Sequence, residues 1–134
     1  MTRFNFSTKN RITDKKEFDI LYKTGEKIFG KYLVINYSLL SENEPSRLGL
    51  TVSKKVDKNA ANRNYIKRVL REIFRIKKEN FTNNFAIVIT AKKSVKEKKY
   101  QEITDDLNRI FIKSGLIAKN ENPGGNETVS SKNN

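Results

Sequence analysis

Arg63, Lys67 and Arg71 recur every four residues in a segment where, from Ser53 to Glu79, ten Lys or Arg stand against three acids, a net of +7 in 27 residues. On a helix such a row drifts by only about 40 degrees per step, so it can follow a phosphate backbone. Arg68 stands beside the row, and Lys54 and Lys55 precede it. Asn59, Asn62, Asn64 and Tyr65 occupy the start of the same segment. The asparagines can cap the helix or bond to phosphate and sugar, and the free backbone amides there favour an anion. For Asn62, capping is the simpler reading. A basic helical face is often only a solvated one, but solubilising surfaces mix both signs, and Glu72 is the sole acid between Lys58 and Lys78. A second set, Phe18, Tyr22, Tyr32, Asn36 and Tyr37, supplies rings and polar groups that can stack on unpaired nucleotides or, for Phe18 and Tyr37 above all, pack into a core.

The residues that are missing narrow the chemistry further. The chain has no His and no Cys, which removes disulfides, thiol nucleophiles, imidazole bases and the usual zinc ligands. Asp14, Glu17, Asp19, Asp57, Glu72, Asp105 and Asp106 are available, but no spacing among them marks a two-metal centre. If the protein serves a reaction, the chemistry sits on its partner. The net charge of +13, from 28 basic and 15 acidic residues, implies salt-sensitive attraction to a polyanion.

The elements that must position these groups follow from periodicity. The 36% apolar content of 134 residues suffices for one core, so a single domain is expected over 1–118, with a flexible arm over 1–10 and a disordered tail over 119–134. Thr13 or Asp14 can cap a first helix bearing Phe18, Leu21 and Tyr22 and ending at Gly25. Lys31 to Leu40 alternates as a strand, with Leu33, Ile35, Tyr37 and Leu39 on one side and Tyr32, Val34, Asn36 and Ser38 on the other. A turn at Ser41 to Pro45 and a second alternating run, Arg47 to Ser53, complete an expected hairpin. A helix from about Ala60 to Lys78 gathers Ile66, Val69, Leu70, Ile73 and Ile76 on one stripe. Phe85 to Ala91 is apolar enough for a buried central strand, and Lys96 to Ser114, closed by Gly115, reads as a third helix. The order is α-β-β-α-β-α, an α+β fold.

No run approaches the roughly 18 apolar residues of a membrane span, and Met1 to Asn10 lacks the apolar core of a secretory signal. The chain is therefore expected in the cytoplasm, away from membranes. No helix-turn-helix partner precedes the basic helix, and A-form RNA hides its base edges, so docking on folded RNA by shape and phosphate is the reading favoured over DNA recognition. A general RNA-binding module and a carboxylate-based nuclease are the rivals.

The runs Arg47-Leu48-Gly49-Leu50-Thr51-Val52-Ser53-Lys54-Lys55-Val56 and Ala61-Asn62-Arg63-Asn64-Tyr65-Ile66-Lys67-Arg68-Val69-Leu70-Arg71-Glu72, preceded by Arg11-Ile12 and by Glu17-Phe18 in a helix ending at Gly25, resemble the protein subunit of bacterial ribonuclease P. The resemblance spans about residues 9 to 117. It implies a two-layer α/β sandwich with a small mixed sheet and a left-handed β-α-β crossover, an exception to the usual hand. It implies a catalytic RNA as partner, with no obligate protein partner, and precursor tRNA as substrate, from which the ribonucleoprotein cleaves the 5′ leader. The active site and its magnesium ions then belong to the RNA. The family's Arg-Asn-Arg signature falls on Arg63-Asn64-Tyr65, with Lys54, Lys55, Asn62, Lys67, Arg68 and Arg71 alongside as catalytic-RNA contacts. Tyr65 stands where the family has arginine, so a phosphate contact there is lost, replaced by stacking, or taken over by Lys67 or Arg68. The leader cleft maps to Phe18, Tyr22, Tyr32 and either Asn36 or Tyr37, because adjacent strand residues face opposite ways.

Overall fold

The computed structural model describes residues 10–118. Most of the expected arm and all of the expected tail lie outside the described residues. The Asp14 side chain accepts the Lys16 backbone N–H (3.1 Å) and caps helix α1, Lys15–Thr24, which stops at Gly25. A Cβ on Gly25 would lie 2.7 Å from the Leu21 carbonyl oxygen and 2.9 Å from that of Tyr37, so only glycine lets the chain leave the helix flush against the sheet. Strand β1, Glu26–Phe29, follows at once. Nothing in the sequence announces it: of its four residues only Ile28 turns toward the core, which leaves no alternation to detect.

The remaining elements appear in the expected order: β2 Leu33–Leu39, β3 Arg47–Thr51, α2 Ala60–Lys77, β4 Phe85–Ala91 and α3 Tyr100–Ser114. The third helix begins at Tyr100 rather than Lys96, because the Lys99 backbone N–H bonds to Glu102 Oε1 (2.9 Å) and so sets the N-terminus there. It ends, as expected, at Gly115, whose φ of 86° is left-handed.

The strands lie in the order β1-β2-β4-β3. The expected hairpin between the two early strands does not form. β4 lies between them, antiparallel to β2 and parallel to β3. Its run Ile87-Val88-Ile89 is fully buried, and a strand apolar on both faces is most completely covered in the sheet centre. The turn after β2 cooperates, since Leu40 N–H donates to the Asn84 carbonyl (2.8 Å). Helix α2 is the crossover of the parallel β3–α2–β4 unit that results.

One sheet face, with Leu33, Ile35, Leu48, Ile87 and Ile89, packs against α2 and α3 to form the main core. Ile66, Val69, Leu70 and Ile73 point into it as expected, but Ile76 is 48% exposed. Phe74 takes its place, its ring edge-on to Phe81 at 5.7 Å between centroids. The other face is smaller: Ala86 and Val88 of β4 meet Leu21 of α1 and Ile12, with Phe18 and Leu40 alongside. The buried Asp106 carboxylate ties the β1–β2 turn to α3 by accepting the Lys31 and Tyr32 backbone N–H groups (both 2.9 Å) and a hydrogen bond from Arg109 (3.1 Å).

Candidate nucleic-acid interface

Helix α2 begins inside a small polar scaffold. Asn59 Oδ1 accepts the backbone N–H groups of Ala61 (2.8 Å) and Asn62 (3.2 Å), so Asn59 is the cap and Asn62 is not. Asn62 Nδ2 instead donates to Asp57 Oδ2 (3.0 Å), while Asp57 Oδ1 accepts the Asn59 N–H (2.9 Å). The Asn59 N–H holds the Asp57 carboxyl below the usual carboxylate range, against the opposing effect of desolvation, with Asn62, Lys96 and Arg63 adding to the lowering. Arg63 Nη1 donates to the carbonyls of Asp57 (2.9 Å) and Lys58 (3.0 Å), strapping the β3–α2 connection to the helix. Beyond the scaffold, Asn64, Tyr65 and Arg68 are exposed, and the Arg68 guanidinium lies 5.8 Å from the Tyr65 ring centroid. The aromatic departure from the signature thus engages the neighbouring cation. Lys54 and Lys55 are exposed in the turn after β3.

Further along α2, Lys67 and Arg71 join Arg11, Thr13, Phe18 and the β3 segment Leu48 to Leu50 around a cavity of about 170 Å³. Three of its lining side chains are cations and none is an acid. Burial, and secondarily the nearby Arg11, pull the Arg71 guanidinium below its ordinary value, so an anion in the cavity would favour its charged form. Glu17, beside Phe18 in sequence, is engaged by Arg47, which also donates to the Arg11 carbonyl (3.1 Å). Together with Ile12 N–H to the Leu48 carbonyl (2.9 Å), these bonds lay the Arg11 segment along β3.

Phe18 forms the wall between this cavity and a wider one. On its far side Thr13, Lys15, Asp19, Tyr22 and Thr51 complete a recess of about 390 Å³. The Phe18 and Tyr22 rings are 6.3 Å apart, and the Tyr22 hydroxyl bonds to Thr51 Oγ1 (2.9 Å). A Cβ on Gly49 would come within 2.7 Å of Phe18 Cζ, so the ring rests directly on strand backbone.

The structure decides between the two strand candidates. Asn36 pairs with Val88 and Val88 with Gly49, which puts all three in one row on the α1 face, with Phe18 resting on Gly49. Asn36 is 1% exposed, and its Nδ2 has no hydrogen-bond partner among the described residues. Tyr37 lies on the opposite face, where its hydroxyl donates to the Ser114 carbonyl (3.4 Å) and burial, then Glu26, push its phenol up. Tyr32 also packs against the main core, with Lys98 Nζ 5.5 Å from its ring centroid. Neither tyrosine faces the cleft: alternation along β2 sends Tyr37 to the α2 and α3 side, and Tyr32, in the turn just before the strand, packs against the same core. Arg11, Thr13 and Thr51 were not among the expected site residues. For Thr51 the signal was present, since Leu48 and Leu50 facing the core send Gly49 and Thr51 the other way. Among the described residues no group of three or more His, Cys, Asp or Glu could hold a metal ion, and no helix is long and apolar enough to cross a membrane.

Against known proteins, the family model described as Ribonuclease P matches residues 6–115. The chain belongs to the ribonuclease P protein family. The ribonuclease P protein component of Fusobacterium nucleatum is 39% identical over 112 residues, covering 81% of this chain and 99% of that protein. That of a Pseudanabaena species is 35% identical over 111 residues, covering 83% and 96%. The solved RNase P protein of Staphylococcus aureus superposes with a TM-score of 0.75 at 29% identity, covering 81% of this chain and 97% of that one. The Thermotoga maritima protein gives 0.65 at 27% identity, covering 75% and 94%. The family's fold and the three helices on a mixed sheet described above therefore agree.

Proposed function

We propose that the chain acts as the protein subunit of ribonuclease P through two contiguous surfaces, one for the catalytic RNA and one for the 5′ leader of precursor tRNA. The family's enzyme is an endoribonuclease in which RNA carries catalysis, and this protein contributes charge and geometry. Lys54, Lys55, Asn64, Tyr65, Lys67, Arg68 and Arg71 meet the catalytic RNA, with Asn62 and Arg63 holding the helix start in shape beneath them. Phe18 and Tyr22, with Asn36 beneath the floor, receive the leader. Magnesium required by the ribonucleoprotein is held mainly by the RNA, and the protein works in the cytoplasm, where precursor tRNA is processed.

The observation that carries this reading is the position of Phe18 between a cation-lined cavity and a ring-lined recess. A strand of RNA can there place a phosphate on Lys67 and Arg71 and a base on the ring at once. Cations between two polyanions release counterions and screen their repulsion, and a leader held in one path presents the scissile bond to the RNA active site in line. The test is cleavage of a precursor tRNA at low magnesium by the cognate catalytic RNA, with and without the protein, and by the protein alone. Enhancement that requires both components is expected. Tight RNA binding without enhancement would instead make the protein a general RNA-binding module.

A further inference from the structure

We propose that Phe29 and Lys27, at the β1 edge, form a second stacking platform for the leader, so that single-stranded RNA leaving Tyr22 crosses the full width of the sheet. The inference rests on the leader assignment above and extends it to residues that neither the motifs nor the cleft include. The strand register sets the path. Thr51 pairs with Thr90, Thr90 with Val34 and Val34 with Phe29, which places the four in one row on the α1 face. Three strand spacings make that row about 14 Å long. Its first member is the residue that bonds the Tyr22 hydroxyl, so the row begins where the recess ends.

Phe29 is 65% exposed and belongs to neither core cluster. Lys27, two residues earlier and therefore on the same face, holds its Nζ 5.8 Å from the Phe29 ring centroid. Glu26, the one acid of the strand, alternates to the other face, where its charge acts on Tyr37. The α1 side of β1 thus offers an exposed ring beside a cation with no carboxylate of its own strand. That combination suits a stacked base with its phosphate neutralised, and it is tolerant of sequence. Continuity with the Tyr22 recess and the complementary charge select the leader as occupant over a protein partner.

The experiment measures binding of the ribonucleoprotein to precursor tRNAs carrying leaders of increasing length, with cleavage suppressed by calcium in place of magnesium. Phe29→Ala should leave short-leader precursors and mature tRNA unaffected and weaken long-leader precursors about fivefold or more. Phe29→Tyr should restore affinity and Phe29→Leu should not, because the ring rather than apolar bulk is what stacks. Equal affinities at every leader length, or full rescue by Leu, would overturn the platform. Phe18→Ala run in parallel separates the two levels. If it still weakens precursor but not mature tRNA while Phe29→Ala changes nothing, the cleft stands and the platform falls. If Phe18→Ala is also silent, both fall.

Discussion

Arg63→Ala and Lys67→Ala remove cations one helical turn apart, yet the geometry gives them different consequences. Arg63 Nη1 spans two backbone carbonyls of the β3–α2 connection, whereas Lys67 lines the cation-rich cavity. Hydrogen bonds from a charged donor are worth about 1.5–3 kcal/mol, and partial solvent access places the loss for Arg63→Ala at about 1–2 kcal/mol. Lys67→Ala should stay within about 0.5 kcal/mol of the parent. Urea unfolding checks both values. For RNA affinity, each lost phosphate contact flattens the logarithmic salt slope by about 0.9, so raising salt fourfold should cost Lys67→Ala about 3.5-fold less affinity than the parent. Titration of the catalytic RNA across a salt series reads that difference. An unchanged slope for Lys67→Ala, or parental stability for Arg63→Ala, would refute the division of roles.

Further expectations follow from single contacts. Gly49→Ala drives a methyl into Phe18, so a stability loss of about 1–3 kcal/mol should accompany weaker precursor binding with mature tRNA unaffected; equal affinity for precursor would contradict the placement of the ring. Asp57→Asn adds net positive charge, which by itself would tighten RNA binding, but it weakens the acceptor for Asn59 and Asn62; looser binding is expected, and tighter binding in the same titration argues against a positioning role. Because the folded Asp57 carboxyl sits below its ordinary 3.8, its stabilisation is complete above that pH and fades as pH falls through the folded value, so acid unfolding of the parent should be steeper than that of Asp57→Asn. Asp106→Ala orphans the Lys31 and Tyr32 backbone N–H groups and should lower stability by about 2–4 kcal/mol, read as a drop in Tm; an unchanged Tm would mean the turn is held by other bonds.

What was legible in the sequence was local. Asp14 and Gly25 bracket α1, Gly115 ends α3, and the 3.6-residue period separates the core stripe of α2 from its cationic arc, because caps and periodicity act within a few residues of chain. The apolar run Phe85 to Ala91 likewise declared a central strand by composition alone. The basic helix and the placement of Phe18 on α1 likewise follow from such local elements. Tertiary structure decided everything that depends on which distant strand lies alongside. Insertion of β4 between β2 and β3 turned an apparent hairpin into a parallel crossover, and the resulting register put Asn36 rather than Tyr37 on the α1 face. The same packing recruited the weakly patterned β1, folded Arg63 back onto backbone carbonyls, and brought Arg11, Thr51 and Arg71 around one side chain from three separate segments. A strand's period states that neighbours face opposite ways, but only the sheet's two unlike coverings, α1 on one side and α2 with α3 on the other, determine which way is the site.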